Sequence, residues 1–227
     1  MRLLTVPGVF RPRSDSLMLA RRVAAEVEPG QVVLDPFTGS GVLAITAALA
    51  GAKATAVDIS RRAVACAWSN ARLNGTRIRA RCGDMFAPVA EEQFDLIVAN
   101  PPYLPAVSDP PARGAARAWE GGIDGRRVLD RLCRSAVDQL KPGGRVLVVQ
   151  SSICDPEATA AALSSSGLTA EVVERRRGPL GPLLRARAPL LERAGMLKPG
   201  QREEELLVIA ARRAGRVGTP VAGKGRS

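Results

Sequence analysis

The chain of 227 residues contains no histidine. That absence removes every imidazole general base, the triads built on one, and the common Cys/His zinc sites. Cysteine is sparse as well: Cys66, Cys82, Cys133 and Cys154 are scattered with no C-x-x-C pair, so no bound metal is expected. Aromatic residues make up only 3% of the chain, too few for base-stacking platforms beyond Tyr103 and Trp119. No apolar run approaches the roughly 18 residues of a membrane span. The opening Met1-Arg2-Leu3-Leu4-Thr5-Val6-Pro7-Gly8 meets proline and glycine too early for a signal-peptide core. A cytoplasmic protein with no membrane association is expected.

Lysine is scarce too, confined to Lys53, Lys141, Lys198 and Lys224, so the net charge of +11 is almost entirely arginine. Such a charge ordinarily points to nucleic acid. Abundant Arg, Ala, Gly and Pro with little Lys resembles GC-rich coding bias as much as selection for phosphate.

What is present alternates. A helix is expected from Ser14 to about Val27, capped by Ser14-Asp15, then a short buried strand at Val32-Val33-Leu34-Asp35. An apolar helix over Val42–Ala50, a strand over Ala54–Asp58 and a helix from Ser60 to Asn74-Gly75 follow. Further strands are expected at Ile78–Cys82, Phe94–Ala99, Val146–Val149, Thr169–Glu174 and Glu204–Arg212. Helices are expected over Gly125–Leu140, stopped by Lys141-Pro142-Gly143-Gly144, and from Asp155 to near Gly167. This order means βαβ units: an α/β, Rossmann-like, mostly parallel seven-stranded sheet with helices on both faces. No helix is evident between the last two strands, so the seventh should run antiparallel. One domain is expected over residues 1–213, with 214–227 as a disordered tail.

The chemistry concentrates at Asn100-Pro101-Pro102-Tyr103, directly after the apolar run Phe94–Ala99. In an open α/β sheet, ligands bind at the carboxyl ends of the strands. There the Asn100 side-chain oxygen and the Pro101 carbonyl can accept both hydrogens of a planar NH₂ group. Proline stiffens the corner, and Tyr103 offers a flat face. The pattern suits catalysis at an amide or exocyclic amine nitrogen.

Three earlier strand ends look like a cofactor site. Asp35-Pro36-Phe37-Thr38-Gly39-Ser40-Gly41 turns sharply into a helix N-terminus, where a ligand can lie against backbone N–H groups. Asp58 ends the second strand, placed to accept from two ribose hydroxyls. Gly83-Asp84 ends the third, where a carboxylate can meet an adenine amino group. A tight turn and two strand-end acids would explain each alone; the set at successive strand ends is a binding site. NAD is the competing cofactor, but Ala44 stands where the third glycine of G-x-G-x-x-G would be.

These residues resemble the class I S-adenosylmethionine-dependent methyltransferases over roughly residues 10–212. Ala118-Trp119-Glu120-Gly121-Gly122-Ile123-Asp124-Gly125-Arg126 is similar to a stretch of HemK-like protein-glutamine methyltransferases of the short eukaryotic and archaeal branch. Pro12-Arg13-Ser14-Asp15-Ser16 resembles a segment beside the cofactor in that branch. The resemblance implies S-adenosyl-L-methionine as cofactor, held by Ser14, Asp15, Asp35, Phe37, Thr38, Gly39, Gly41, Asp58, Ile59, Asp84, Met85 and Asn100. It implies catalysis by Asn100, Pro101, Pro102 and Tyr103, with Asn100, Pro101, Tyr103 and Trp119 touching substrate. A protein acceptor, most simply a glutamine amide in a translation release factor, is then expected.

Two departures matter. Phe37 replaces the usual glycine, bringing the loop nearer to DNA amino-methyltransferases and some tRNA guanine methyltransferases. An RNA or DNA base is therefore the alternative acceptor, and a binding protein that has lost catalysis is a third class. The eukaryotic short-branch enzymes depend on a zinc-binding activator at the third-strand edge; here Arg77-Ile78-Arg79-Ala80-Arg81 is a charged edge, so no obligate activator is expected. The Pro-rich loop Leu104–Trp119 and the arginine-rich connection around residues 175–202 leave the same sheet edge and should shape acceptor choice.

Overall fold

A computed structural model describes residues 1–106 and 119–215. The expected tail beyond residue 215 and the middle of the Pro-rich loop, Ala118 included, lie outside the described residues. Seven strands form one sheet: β1 Val32–Asp35, β2 Lys53–Asp58, β3 Arg79–Cys82, β4 Phe94–Ala99, β5 Leu140–Ser151, β6 Leu168–Pro179 and β7 Glu203–Arg213. Their order is β3-β2-β1-β4-β5-β7-β6. Strands β1 to β5 pair in parallel, while β7 runs antiparallel between β5 and β6.

Among the described residues, six α-helices flank the sheet: α1 Ser14–Glu26, α2 Val42–Leu49, α3 Arg61–Leu73, α4 Arg127–Ser135, α5 Pro156–Ser165 and α6 Pro182–Arg193. Two apolar clusters show why the central strands read as continuous hydrophobic runs. Met18, Leu19 and Val23 of α1 and Val42, Leu43 and Ala47 of α2 meet Val33, Leu96, Val98 and Leu147 on one face. Leu129, Leu132 and Cys133 of α4 and Leu163 of α5 meet Leu34, Ile97, Val146 and Val148 on the other.

The structure departs from the expected elements in four places. The N-cap of α1 is Arg13, without a side-chain cap; Asp15 sits inside the first turn, buried, and spends its carboxylate elsewhere. Helix α4 is shorter than expected, because Gly121 to Gly125 fold as a tight loop, and Ala136–Gln139 finish it as a 3-10 turn. Lys141-Pro142-Gly143-Gly144 lies within β5 as an irregularity against β4, rather than before the strand. The connection from β6 to β7 holds α6, which prolines at 182 and 189 disguise. Its Leu184, Ala188 and Leu191 nonetheless share a buried face with Leu180 and Leu197. Among the described residues no helix is long and apolar enough to cross a membrane.

Candidate active site

A cavity of about 540 Å³ opens at the carboxyl ends of β1, β2, β3 and β4, within the range of small-molecule sites. The reversal of strand order between β2-β1 and β4 creates it, because consecutive crossovers leave to opposite sides there. Ser14, Asp15, Phe37, Thr38, Gly39, Asp58, Ile59, Asp84, Met85 and the whole Asn100–Tyr103 corner line it, as does Trp119. Among the residues expected from sequence, Asp35 and Gly41 do not.

Asp35 supports the turn from beneath. It is 1% exposed, and burial pushes its carboxyl up to about 7 against the hydrogen bonds from Thr38 and the Phe37 N–H, with nearby Asp58 adding to the rise. Gly41 is the N-cap of α2 at φ 93°; a Cβ there would sit 3.0 Å from Ala67 and Ile45. Glycine therefore allows α3 to press against the turn. Asp58 shapes the turn as well as the cavity: Oδ2 accepts from Gly39 N at 2.9 Å and Oδ1 from Ser60 N at 2.9 Å. Asp84 pairs with Arg131 at 2.7 Å, both half exposed at the rim.

The acceptor end is built by two segments pressed together. Leu104 N donates to Trp119 O at 2.8 Å, Gly121 N to Leu104 O at 2.8 Å, and Ala106 N to Gly122 O at 2.7 Å. A Cβ on Gly121 would lie 2.7 Å from Pro102 O, and one on Gly125 would collide with Tyr103 O. The glycines of the stretch that resembles the HemK-like enzymes thus hold the Asn100–Tyr103 corner by close backbone approach. Cys154 Sγ–H donates to Tyr103 O at 2.9 Å, its thiol pushed up to about 12 by burial.

Asn100 Nδ2 donates to Ser16 Oγ at 2.9 Å, and Tyr103 O–H donates to Asp15 Oδ2 at 2.7 Å. Tyr103 lines the cavity yet is only 7% exposed, so it does not offer the open flat face expected from sequence. Ser16, quoted only within the segment resembling the cofactor side, and Leu183 and Leu184, only within the 175–202 connection, were not expected singly as site residues, nor was Glu204, yet all four line the cavity. Glu204 accepts from Gly181 N at 2.9 Å and from Ser151 Oγ, and burial raises its carboxyl. Its signal was alternation: Glu204 shares a strand face with the buried Leu206 and Val208.

The arginine-rich connection is not a basic loop. Arg175 and Arg177 lie on β6 and pair across the sheet with Glu205 and Glu203, at 3.4 and 2.5 Å. Arg187 of α6 reaches Glu120 at 2.5 Å and the Pro105 carbonyl at 2.7 Å, fastening that helix to the loop after the catalytic corner.

Residues 1–178 match the methyltransferase small domain. The chain belongs to that family. It is a methyltransferase, with S-adenosylmethionine as its donor. MJ0928 of Methanocaldococcus jannaschii, named for protein N5-glutamine methyl transfer, is 36% identical over 180 residues, covering 78% of this chain and 90% of that one. Methyltransferase HEMK2 of Homo sapiens is 33% identical over 173 residues, 70% of this chain and 79% of that one. Against the release factor glutamine methyltransferase of Geobacter sulfurreducens, 32% identical over 153 residues, the match covers 64% of this chain and about half, 54%, of that one. Among solved structures, Mtq2 from the E. cuniculi Mtq2-Trm112 complex superposes with a TM-score of 0.64 at 22% identity, covering 91% of this chain and 99% of that one. At that identity the likeness speaks for the fold alone.

The residues present fit the donor. Ser40 Oγ, in the turn that lines the cavity, is buried without a hydrogen-bond partner, a polar group that a hydroxyl-bearing ligand would answer. Asp58 and the backbone around Gly39 would hold the ribose, and Ile59, Asp84 and Met85 the base.

Proposed function

We propose that this enzyme methylates the side-chain amide nitrogen of a glutamine in a protein, a translation release factor being the favoured substrate. The observation that carries the reading is the state of Asn100. Its Nδ2 donates to Ser16 Oγ, and Asn100 and Pro101 both line the cavity, where the Asn100 Oδ1 and the Pro101 carbonyl would serve as acceptors. Two such acceptors suit a group that offers two N–H bonds in one plane.

Bound S-adenosylmethionine supplies a methyl group activated by a sulfonium. The protein's part is positioning and electrostatics. An amide nitrogen is a poor nucleophile because its lone pair is delocalised. Two carbonyl oxygens on its hydrogens would aim the nitrogen and favour the positive charge that develops on it. No strong base is needed if the proton leaves after transfer, which accords with a chain lacking histidine. The names of MJ0928 and of the release factor enzyme support the same substrate class.

A base amino group is the second reading, favoured by Arg13, Arg127 and Arg131 at the cavity mouth and by the Phe37 form of the turn. We place the enzyme in the cytoplasm, with residues 1–213 as one catalytic domain that needs no obligate activator. Its outer strand β3 carries Arg79, which pairs with Glu92, and an exposed Arg81, the charges that discourage strand addition.

The test is transfer of tritiated methyl from S-adenosylmethionine into a hypomethylated extract of the source cell, with Asn100→Ala as control. Label released only by protease supports a protein acceptor, and recombinant release factor follows as purified substrate. Label released only by nuclease overturns it in favour of a base.

A further inference from the structure

The two ends of an asparagine amide are alike in shape, so what decides their orientation is the hydrogen-bond network around them. Here the network has a direction. Asp15 Oδ1 accepts from Ser16 N at 2.6 Å and lies 3.2 Å from Ser16 Oγ, while Oδ2 accepts from Tyr103 O–H at 2.7 Å. Both carboxylate oxygens are acceptors, so the Ser16 hydroxyl must donate to Asp15. Its lone pairs are then the only face left for Asn100, 2.9 Å away. Only the NH₂ end of the amide satisfies them; the carbonyl end would set oxygen against oxygen.

We propose that Ser16 is a positioning residue of the acceptor site, which with Asp15 turns the Asn100 carbonyl oxygen toward the nitrogen to be methylated. Ser16 is 2% exposed and Asp15 7%, so both links are shielded from bulk solvent. The same carboxylate holds Tyr103, and both ends of the catalytic corner are referred to the first turn of α1. A segment resembling a cofactor-side motif thereby becomes a template for the acceptor. This inference rests on the amide-acceptor reading above, and it adds a residue to it.

The experiment compares Ser16→Ala, which deletes the hydroxyl, with Ser16→Thr, which keeps it. Three quantities are measured: the ¹⁵N-resolved side-chain amide resonances of Asn100, assigned by their loss in Asn100→Ala; the affinity for S-adenosylhomocysteine; and kcat and KM with recombinant release factor. Ser16→Ala should shift the Asn100 amide resonances and speed their solvent exchange. It should lower kcat about 30- to 100-fold, as small misplacements of reacting groups do. KM and S-adenosylhomocysteine affinity should stay within about 3-fold, the pattern of an interaction felt mainly in the transition state. Ser16→Thr should restore both resonances and rate. Unchanged resonances in Ser16→Ala would overturn the proposal, as would equal losses in both variants. If wild type does not methylate release factor, the substrate reading fails, and the resonance comparison still decides the role of Ser16.

Discussion

The hydroxyl of Tyr103 donates to Oδ2 of Asp15 at 2.7 Å, joining the end of the catalytic corner to the start of α1 across 88 residues of chain. Burial and the adjacent Asp15 carboxylate hold the phenol well above its usual range, so it remains a donor. Tyr103 is an anchor as much as a surface for the acceptor.

Removing that hydroxyl strands a buried carboxylate oxygen. Tyr103→Phe should destabilise the protein by about 1–3 kcal/mol, read as a lower urea midpoint with an unchanged slope. S-adenosylhomocysteine affinity should change little. A variant as stable as wild type would show that Asp15 does not depend on the phenol.

Gly125 makes a sharper case. Its φ is 77°, and a methyl group on its Cα would run into the carbonyl oxygen of Tyr103, so no side chain has room there. Gly125→Ala must displace backbone, not a flexible side chain. The expected result is a loss of more than about 100-fold in turnover, in line with the cost of misplacing reacting groups, with donor binding largely kept. Normal turnover would mean that the 119–125 loop is not what holds the corner.

Much of this was legible in the sequence for identifiable reasons. Strands β1 and β4 were found at their ends because both faces of each are buried, leaving uninterrupted apolar runs. Ser60 and Asp155 announced α3 and α5, and both side chains do accept the capping N–H, from Ala63 and Ala158. Helix α6 was hidden because Pro182 and Pro189 speak against a helix, yet Pro182 sits at its start and the buried leucines supply the stability. Ser16 and Glu204 were missed for a different reason. Alternation could place Glu204 on a buried strand face, but the partners that give the two residues their roles lie 84 and 53 residues away, and no local pattern names them.

Asp35 gives the fold a pH dependence whose sign follows from burial. Its carboxyl moves from 3.8 up to about 7 on folding. Between those values the folded chain keeps a proton that the unfolded chain has released. The stability this group contributes is therefore complete below about 4, declines as pH rises, and is gone above about 7. From pH 5 to pH 8 the cofactor-free protein should lose up to ~3 kcal/mol relative to Asp35→Asn. Urea unfolding of both proteins at the two pH values measures it. A constant difference between them would mean that Asp35 folds ionised.

The N-terminal segment is latched over the donor side by two asparagines one helical turn apart. Asn74 exchanges hydrogen bonds with Arg2, N to Oδ1 at 2.8 Å and Nδ2 to O at 2.6 Å, and Asn70 does the same with Leu4 at 2.9 and 2.8 Å. The match is geometric: four residues of helix rise about 6 Å, close to two residues of extended chain. Wholly buried Asn70 also donates to Ser40 O in the donor-binding turn at 2.9 Å, and the segment continues through Gly8, Val9 and Phe10, which line the cavity. Donor release should therefore require this strap to lift. Asn74→Ala removes the outer, exposed pair of bonds and the Nδ2 bond to Asn70 O at its own helix end, while the buried Asn70 pair remains, so it should leave the fold intact. Dissociation of S-adenosylhomocysteine, followed by stopped flow, should quicken about 3- to 10-fold, as expected for bonds worth roughly 1 kcal/mol. An unchanged rate would show that the donor leaves without disturbing the strap.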